Sequence, residues 1–92
     1  MTEKQFQAEV VDAAKRLGWS VYHTNDSRRC EPGFPDLVLV RDRVLYRELK
    51  TEIGRLSASQ KVWGEKLVGA GADYAVWRPS EMRDIIVTLS KS

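Results

Sequence analysis

The chain has 92 residues, of which 42% are hydrophobic and 30% charged, with a net charge of +2 at pH 7. That suits one domain spanning residues 1–92 with the composition of an ordinary soluble globule, and excludes a bulk polycation. One cysteine and one histidine exclude an intrachain disulfide and the common Cys/His zinc sites, and no apolar run approaches the ~18 residues of a membrane span. With a polar start and no signal-peptide pattern, a reducing, cytoplasmic location is expected.

Thr2 to Leu17 is predicted to be an amphipathic helix. Phe6, Val10, Ala13, Ala14 and Leu17 recur at three- and four-residue spacing, and Gly18 stops the run. Trp19 to His23 is a short strand. Thr24 to Pro35 is a polar loop with a Pro-Gly turn at Pro32-Gly33. It is long for so small a chain, which favours a functional role. Its Arg28 and Arg29 are either phosphate contacts or solvated surface, and Cys30 reads as a bystander.

Asp36 to Val40 and Val44 to Lys50 are two apolar runs joined tightly, so they are expected to form an antiparallel hairpin covered on both faces. Ser57 or Ser59 caps a second helix reaching about Gly69, with Leu56, Trp63 and Leu67 inward. Tyr74 to Trp77 is a fourth strand. Pro79-Ser80-Glu81 opens a last helix with Met82, Ile85, Ile86 and Leu89 apolar. Trp19, Trp63 and Trp77 fall at packing positions. The order α-β-β-β-α-β-α gives an α/β fold, a mixed sheet of about four strands flanked by helices. The strand–helix–strand passage makes the third and fourth strands parallel.

The hairpin carries the chemistry. Acidic residues in core-like strands cost several kcal/mol unless they are paired or bind a metal. Residues two apart on a strand share a face, so Tyr46, Glu48 and Lys50 align. With the turn centred near Asp42, Asp36 lies opposite or diagonal to Glu48. These two carboxylates and the Leu49 carbonyl between Glu48 and Lys50 are hard oxygen ligands that suit Mg²⁺ or Mn²⁺. Lys50 is placed to orient an attacking water and to offset charge on a phosphate. A plainer reading is a Glu48–Lys50 ion pair at a strand end, with Asp36 as a turn residue.

Gly33-Phe34-Pro35-Asp36 followed by Glu48-Leu49-Lys50 resembles the PD-(D/E)XK nuclease signature. Glu3 on the first helix, Glu48-Leu49-Lys50-Thr51-Glu52 and Leu56-Ser57-Ala58-Ser59-Gln60 narrow the resemblance to the VRR-NUC family of phage and repair nucleases, in its stand-alone form and across essentially the whole chain. The resemblance implies a restriction-endonuclease-like core and Mg²⁺- or Mn²⁺-dependent hydrolysis of DNA phosphodiesters. It also implies a preference for branched DNA, flaps or four-way junctions, a homodimer, and a phage or bacterial host cytoplasm. By position, Asp36, Glu48 and the Leu49 carbonyl are implied as metal ligands and Lys50 as the catalytic lysine. Glu3 is implied as the helix-borne ligand, with Glu9 the other choice. Gln60 is implied as a contact to the site or to the DNA backbone, although Ser57-x-x-Gln60 is also a capping box, a purely structural device.

His23, at the end of the first strand, is a structural residue or a substrate contact. Arg55, Lys61 and the group Arg41, Arg43 and Arg47 are phosphate-attracting or merely solvated. No Ser-His-Asp arrangement is readable. Two further function classes stay open: a DNA-binding module that keeps the nuclease core without catalysis, and an unrelated α/β protein with incidental charges.

Overall fold

Thr2 starts the first helix by accepting the Gln5 N–H while the Gln5 side chain returns to the Thr2 N–H, a reciprocal cap. In the computed structural model, which describes residues 1–24 and 31–92, this helix is α1 (Glu3–Arg16). It is followed by β1 (Ser20–His23), β2 (Leu37–Val40), β3 (Val44–Leu49), α2 (Ala58–Gly69), β4 (Asp73–Trp77), a 3₁₀ turn (Pro79–Glu81) and α3 (Met82–Ser90). Gly18, at φ +91°, turns the chain from α1 into β1, a backbone conformation that suits glycine.

The sheet has the order β1-β2-β3-β4. β1 and β2 are antiparallel, β2 and β3 are antiparallel, and β3 and β4 are parallel. This is the α-β-β-β-α-β-α order with a mixed four-strand sheet. Strand alternation divides the sheet into two faces. One carries Leu37 and Leu39 of β2, Leu45 and Leu49 of β3 and Trp77 of β4. These pack with Phe6, Val10 and Ala14 of α1 and Ile85 and Leu89 of α3 in a single buried cluster. Each of the larger aliphatic side chains contributes about 1.5–3 kcal/mol by leaving water.

The other face is only partly covered. α2 packs on β4, and Phe34 meets Tyr46 and Trp63 edge-on, at centroid distances of 6.2 and 5.2 Å. Tyr22, Val40 and Val44 on this face are exposed. The expectation that both hairpin strands are covered on both sides therefore fails over their turn-proximal half. The α2 stripe is also shallower than its sequence suggests. Trp63 and Leu67 are half-buried, and only Gly64 is fully buried, because a Cβ there would meet the Tyr74 ring at 2.8 Å.

The arginine group is structural. Arg41 and Arg43 lie over the Trp19 ring at 4.6 and 4.9 Å. Arg41 donates to the carbonyls of Leu17 and Leu89, and Arg43 to those of Thr88 and Lys91. These are the unpaired carbonyls at the ends of α1 and α3, where positive charge is favoured. Arg47 is 4% exposed, stacks over Trp77 and pairs with the Asp73 carboxylate at 2.9 Å. The Arg47 guanidinium is taken up inside the fold, while those of Arg41 and Arg43 lie at its surface, engaged by the helix-end carbonyls and the Trp19 ring. Among the described residues no helix is long and apolar enough to cross a membrane.

Candidate active site

Carried one residue beyond Leu37↔Arg47, the β2–β3 register places Asp36 directly opposite Glu48. Both side chains point to the α2 side of the sheet. Glu3, in the first turn of α1, joins them, and one oxygen from each of the three carboxylates lies within 4.8 Å of the others. Glu9 is elsewhere, with Asp12 and Arg16 in a groove between α1 and α3. Of the two glutamates, Glu3 is the one that lies with the hairpin carboxylates.

The carboxylate oxygens of Asp36 and Glu48 sit in different environments. Asp36 Oδ2 accepts the Leu49 N–H at 2.8 Å, which ties the residue before β2 to the end of β3. Glu48 is 1% exposed. Its Oε2 accepts from Gln60 Nε2 at 3.0 Å and lies 3.9 Å from Lys50 Nζ. Its Oε1 is buried with no hydrogen-bond partner among the described residues. Burial first, then the neighbouring Asp36, with a smaller contribution from Glu3, pushes the Glu48 carboxyl up to about 8, and Lys50 only partly opposes the rise. Among the described residues, three carboxylates face one lysine. A buried acceptor without a donor, inside a cluster of hard oxygen donors, fits a divalent cation of the Mg²⁺ or Mn²⁺ kind.

Gln60 holds its two roles at once. Its N–H donates to Ser57 Oγ and its Oε1 accepts the Ser57 N–H at 2.8 Å, so the capping box exists and Ser57 is the cap residue. The same amide then turns its Nε2 toward Glu48. Helix capping therefore fixes which end of the amide faces the carboxylate, and the cap and the site contact reinforce each other.

The approach of β2 to α2 depends on Gly33. Its φ is +91°, and an added Cβ would lie 2.4 Å from the Ser59 carbonyl carbon and oxygen and 2.8 Å from Gln60 N. Backbone strain together with a clash against main chain gives an expected loss of about 2–4 kcal/mol for Gly33→Ala. Chemical denaturation checks this, and a loss below about 0.5 kcal/mol would show that the segment before Asp36 lifts off α2 without cost.

His23 stands apart from the carboxylates. By alternation it faces α1, where Gln7 Nε2 lies 3.2 Å from its Nδ1. Arg28 and Arg29, and Cys30 with them, lie outside the described residues. Two neighbours of the cluster carry no sequence motif. Thr24, whose N–H donates to the Asp36 carbonyl, has a buried Oγ1 without a partner among the described residues. Tyr74, two residues before Val76, which registers with Glu48, has its hydroxyl pKa raised by burial and then by Glu48 and Asp36. Both follow from strand register alone, once Asp36 and Glu48 are taken as the reference pair.

Comparison with known proteins bears on the family and the fold. A family model described as the VRR-NUC domain matches residues 2–81. A solved structure titled "VRR_NUC domain" superposes with a TM-score of 0.80 at 23% identity, covering 96% of this chain and 97% of that one. A second, titled "VRR_NUC domain protein", gives 0.78 at 21% identity, covering 97% and 85%. At these identities the likeness to the solved structures is one of fold. No curated protein matches the chain.

Proposed function

The chain belongs to the VRR-NUC domain family, a nuclease-type domain, and from that premise we propose that it is a divalent-metal-dependent endodeoxyribonuclease acting on branched DNA, four-way junctions or flaps. The observation that carries the reading is Glu48 Oε1, buried and without a hydrogen-bond partner among the described residues, on a carboxylate that clusters with Asp36 and Glu3. Glu3, Asp36, Glu48 and the Leu49 carbonyl would hold Mg²⁺ or Mn²⁺. When bound, the ion supplies Lewis-acid stabilisation of phosphoryl charge and activation of water at neutral pH.

The chain's own residues do the rest. Gln60 and the Leu49 N–H each hold one carboxylate oxygen, so the ligand geometry is set before anything binds. Lys50 Nζ is the one cation given against the cluster among the described residues, and it orients the water and offsets charge growing on the phosphate. Uncompensated acidic charge at the site repels a phosphodiester until it is neutralised, which makes DNA hydrolysis conditional on the ion. In this proposal the enzyme works as a homodimer in the cytoplasm, because two copies related by a two-fold axis match the near two-fold symmetry of a four-way junction. His23, Arg28 and Arg29 are kept as proposed DNA contacts outside the carboxylate cluster.

End-labelled four-way junction, 5′ flap and linear duplex, incubated with protein in Mg²⁺ or Mn²⁺, test the reading. Nicking of the branched substrates that stops on chelation is the expected result. Binding without cleavage under every metal condition would mean that the chain is a DNA-binding module on a nuclease core. Absence of both binding and metal response would remove DNA from the account.

A further inference from the structure

The turn that follows Lys50 is clamped, and its tip is apolar. Thr51 to Gly54 form a β-turn in which the Gly54 N–H donates to the Thr51 carbonyl at 3.2 Å. Arg78, just beyond β4, reaches across to it. Its Nη1 donates to the carbonyls of Thr51 at 2.6 Å and Gly54 at 2.7 Å. The Glu52 carboxylate accepts the Ser80 N–H from the 3₁₀ turn. Both ends of the turn are thus fixed to the segment after β4.

At its tip Ile53 is 90% exposed, against 64% for Tyr22, the next most exposed large hydrophobic residue among those described. A lone exposed isoleucine on a loose loop is ordinary. On a clamped turn three residues past Lys50, whose Cδ would lie 3.5 Å from a Cβ at Gly54, it is a rigid apolar projection. Turn chemistry does not account for it, since turn interiors favour Asn, Asp, Ser and Gly over β-branched residues.

We propose that Ile53 is a wedge that enters an interrupted base stack of branched DNA, next to the phosphodiester presented to Asp36, Glu48 and Lys50. The proposal rests on the nuclease reading above and states which feature of the DNA the site selects. Apolar side chains of this kind insert between base steps and kink the helix. Unstacking is least costly where pairing or stacking is already broken, as at a flap or a junction crossover. The wedge therefore favours branched over continuous duplex. Arg78 is a positioning residue, because it acts through the backbone of the turn and not on the DNA. Arg55, exposed two residues beyond Ile53, is available to an adjacent phosphate.

The test uses a four-way junction and a flap with 2-aminopurine at the branch point. Binding is read in Ca²⁺ and cleavage in Mg²⁺ or Mn²⁺. Wild type should raise the fluorescence of the unstacked base. Ile53→Ser should lose at least about half of that rise and cut the branched-to-linear cleavage ratio about tenfold, the scale of one buried apolar side chain. Ile53→Leu should keep both. Thermal unfolding of Ile53→Ser should match wild type, because the side chain has no packing to lose. Unchanged fluorescence and an unchanged ratio in Ile53→Ser, with wild type active, would overturn the wedge and leave the nuclease intact. A wild type that cleaves no DNA overturns the nuclease reading, and the wedge falls with it.

Discussion

Lys50→Ala is expected to lower metal-supported hydrolysis of branched DNA by about 10²–10³-fold, the usual cost of removing one preorganised group that stabilises transition-state charge. The lysine side chain is only 15% exposed, and its Nζ sits 3.9 Å from Glu48 Oε2. It is held at the cluster and does not wander through solvent. Lys50→Arg should rescue little, because a planar guanidinium does not replace a compact ammonium in a space shaped for the latter. The fold should survive, since the core lies on the opposite face of the sheet. Single-turnover cleavage with saturating protein separates the chemical step from DNA binding, which should change far less. Wild-type rates in Lys50→Ala would remove this lysine from the mechanism and leave the Glu48–Lys50 contact as an ordinary ion pair.

The Asp36–Glu48 pairing is legible in part from sequence: a turn near Asp42 puts Asp36 opposite or diagonal to Glu48, and burial of Leu37, Leu39 and Leu45 on one face excludes a one-residue slip but leaves that choice to the register. Gln60 is legible as a capping residue and as a site residue, though not as both through one amide. That requires knowing that the α2 N-terminus lands beside Glu48, and the landing depends on Gly33. Glu3 and Glu9 border the same apolar stripe, so helical periodicity cannot separate them. Their difference is distance along α1 from the end of the sheet, a tertiary quantity. Arg47 misleads for a related reason. In sequence it is one of a run of basic residues on a strand, whereas the partners that bury it, Asp73 and Trp77, belong to a strand that follows the second helix. Thr24 and Tyr74 lack any motif because their proximity to the cluster comes from pairing between strands. The open half of the α2 face is invisible for the same kind of reason: an apolar strand reads alike whether a helix covers it or not.

Glu48→Gln is expected to move stability and function in opposite directions. The carboxyl of Glu48 is raised from 4.5 to about 8 in the fold, chiefly by burial and by Asp36. Between those values the folded chain holds a proton that the unfolded chain has released. Fewer protons on the unfolded state mean that stability falls as pH rises through this window, by up to about 1.4 kcal/mol per pH unit, and levels off above it. Glutamine has nearly the same shape, can still accept from Gln60 and carries no charge. Without metal, the variant should therefore lose this slope and exceed wild type by about 2–4 kcal/mol at pH 9, where leaving the carboxylate buried beside Asp36 costs most. With Mn²⁺ the order should reverse. Wild type gains RT ln(1 + [Mn²⁺]/Kd), about 4.1 kcal/mol at a thousandfold excess over Kd, while the variant, lacking one anionic ligand, gains little. Cleavage should fall with the lost ligand. Denaturant titrations at pH 5, 7 and 9, with and without Mn²⁺, read both effects. If Glu48→Gln were instead the less stable protein at pH 9 without metal, Glu48 would be a satisfied ionic partner of Lys50. The buried Oε1 of Glu48 would then no longer argue for a cation.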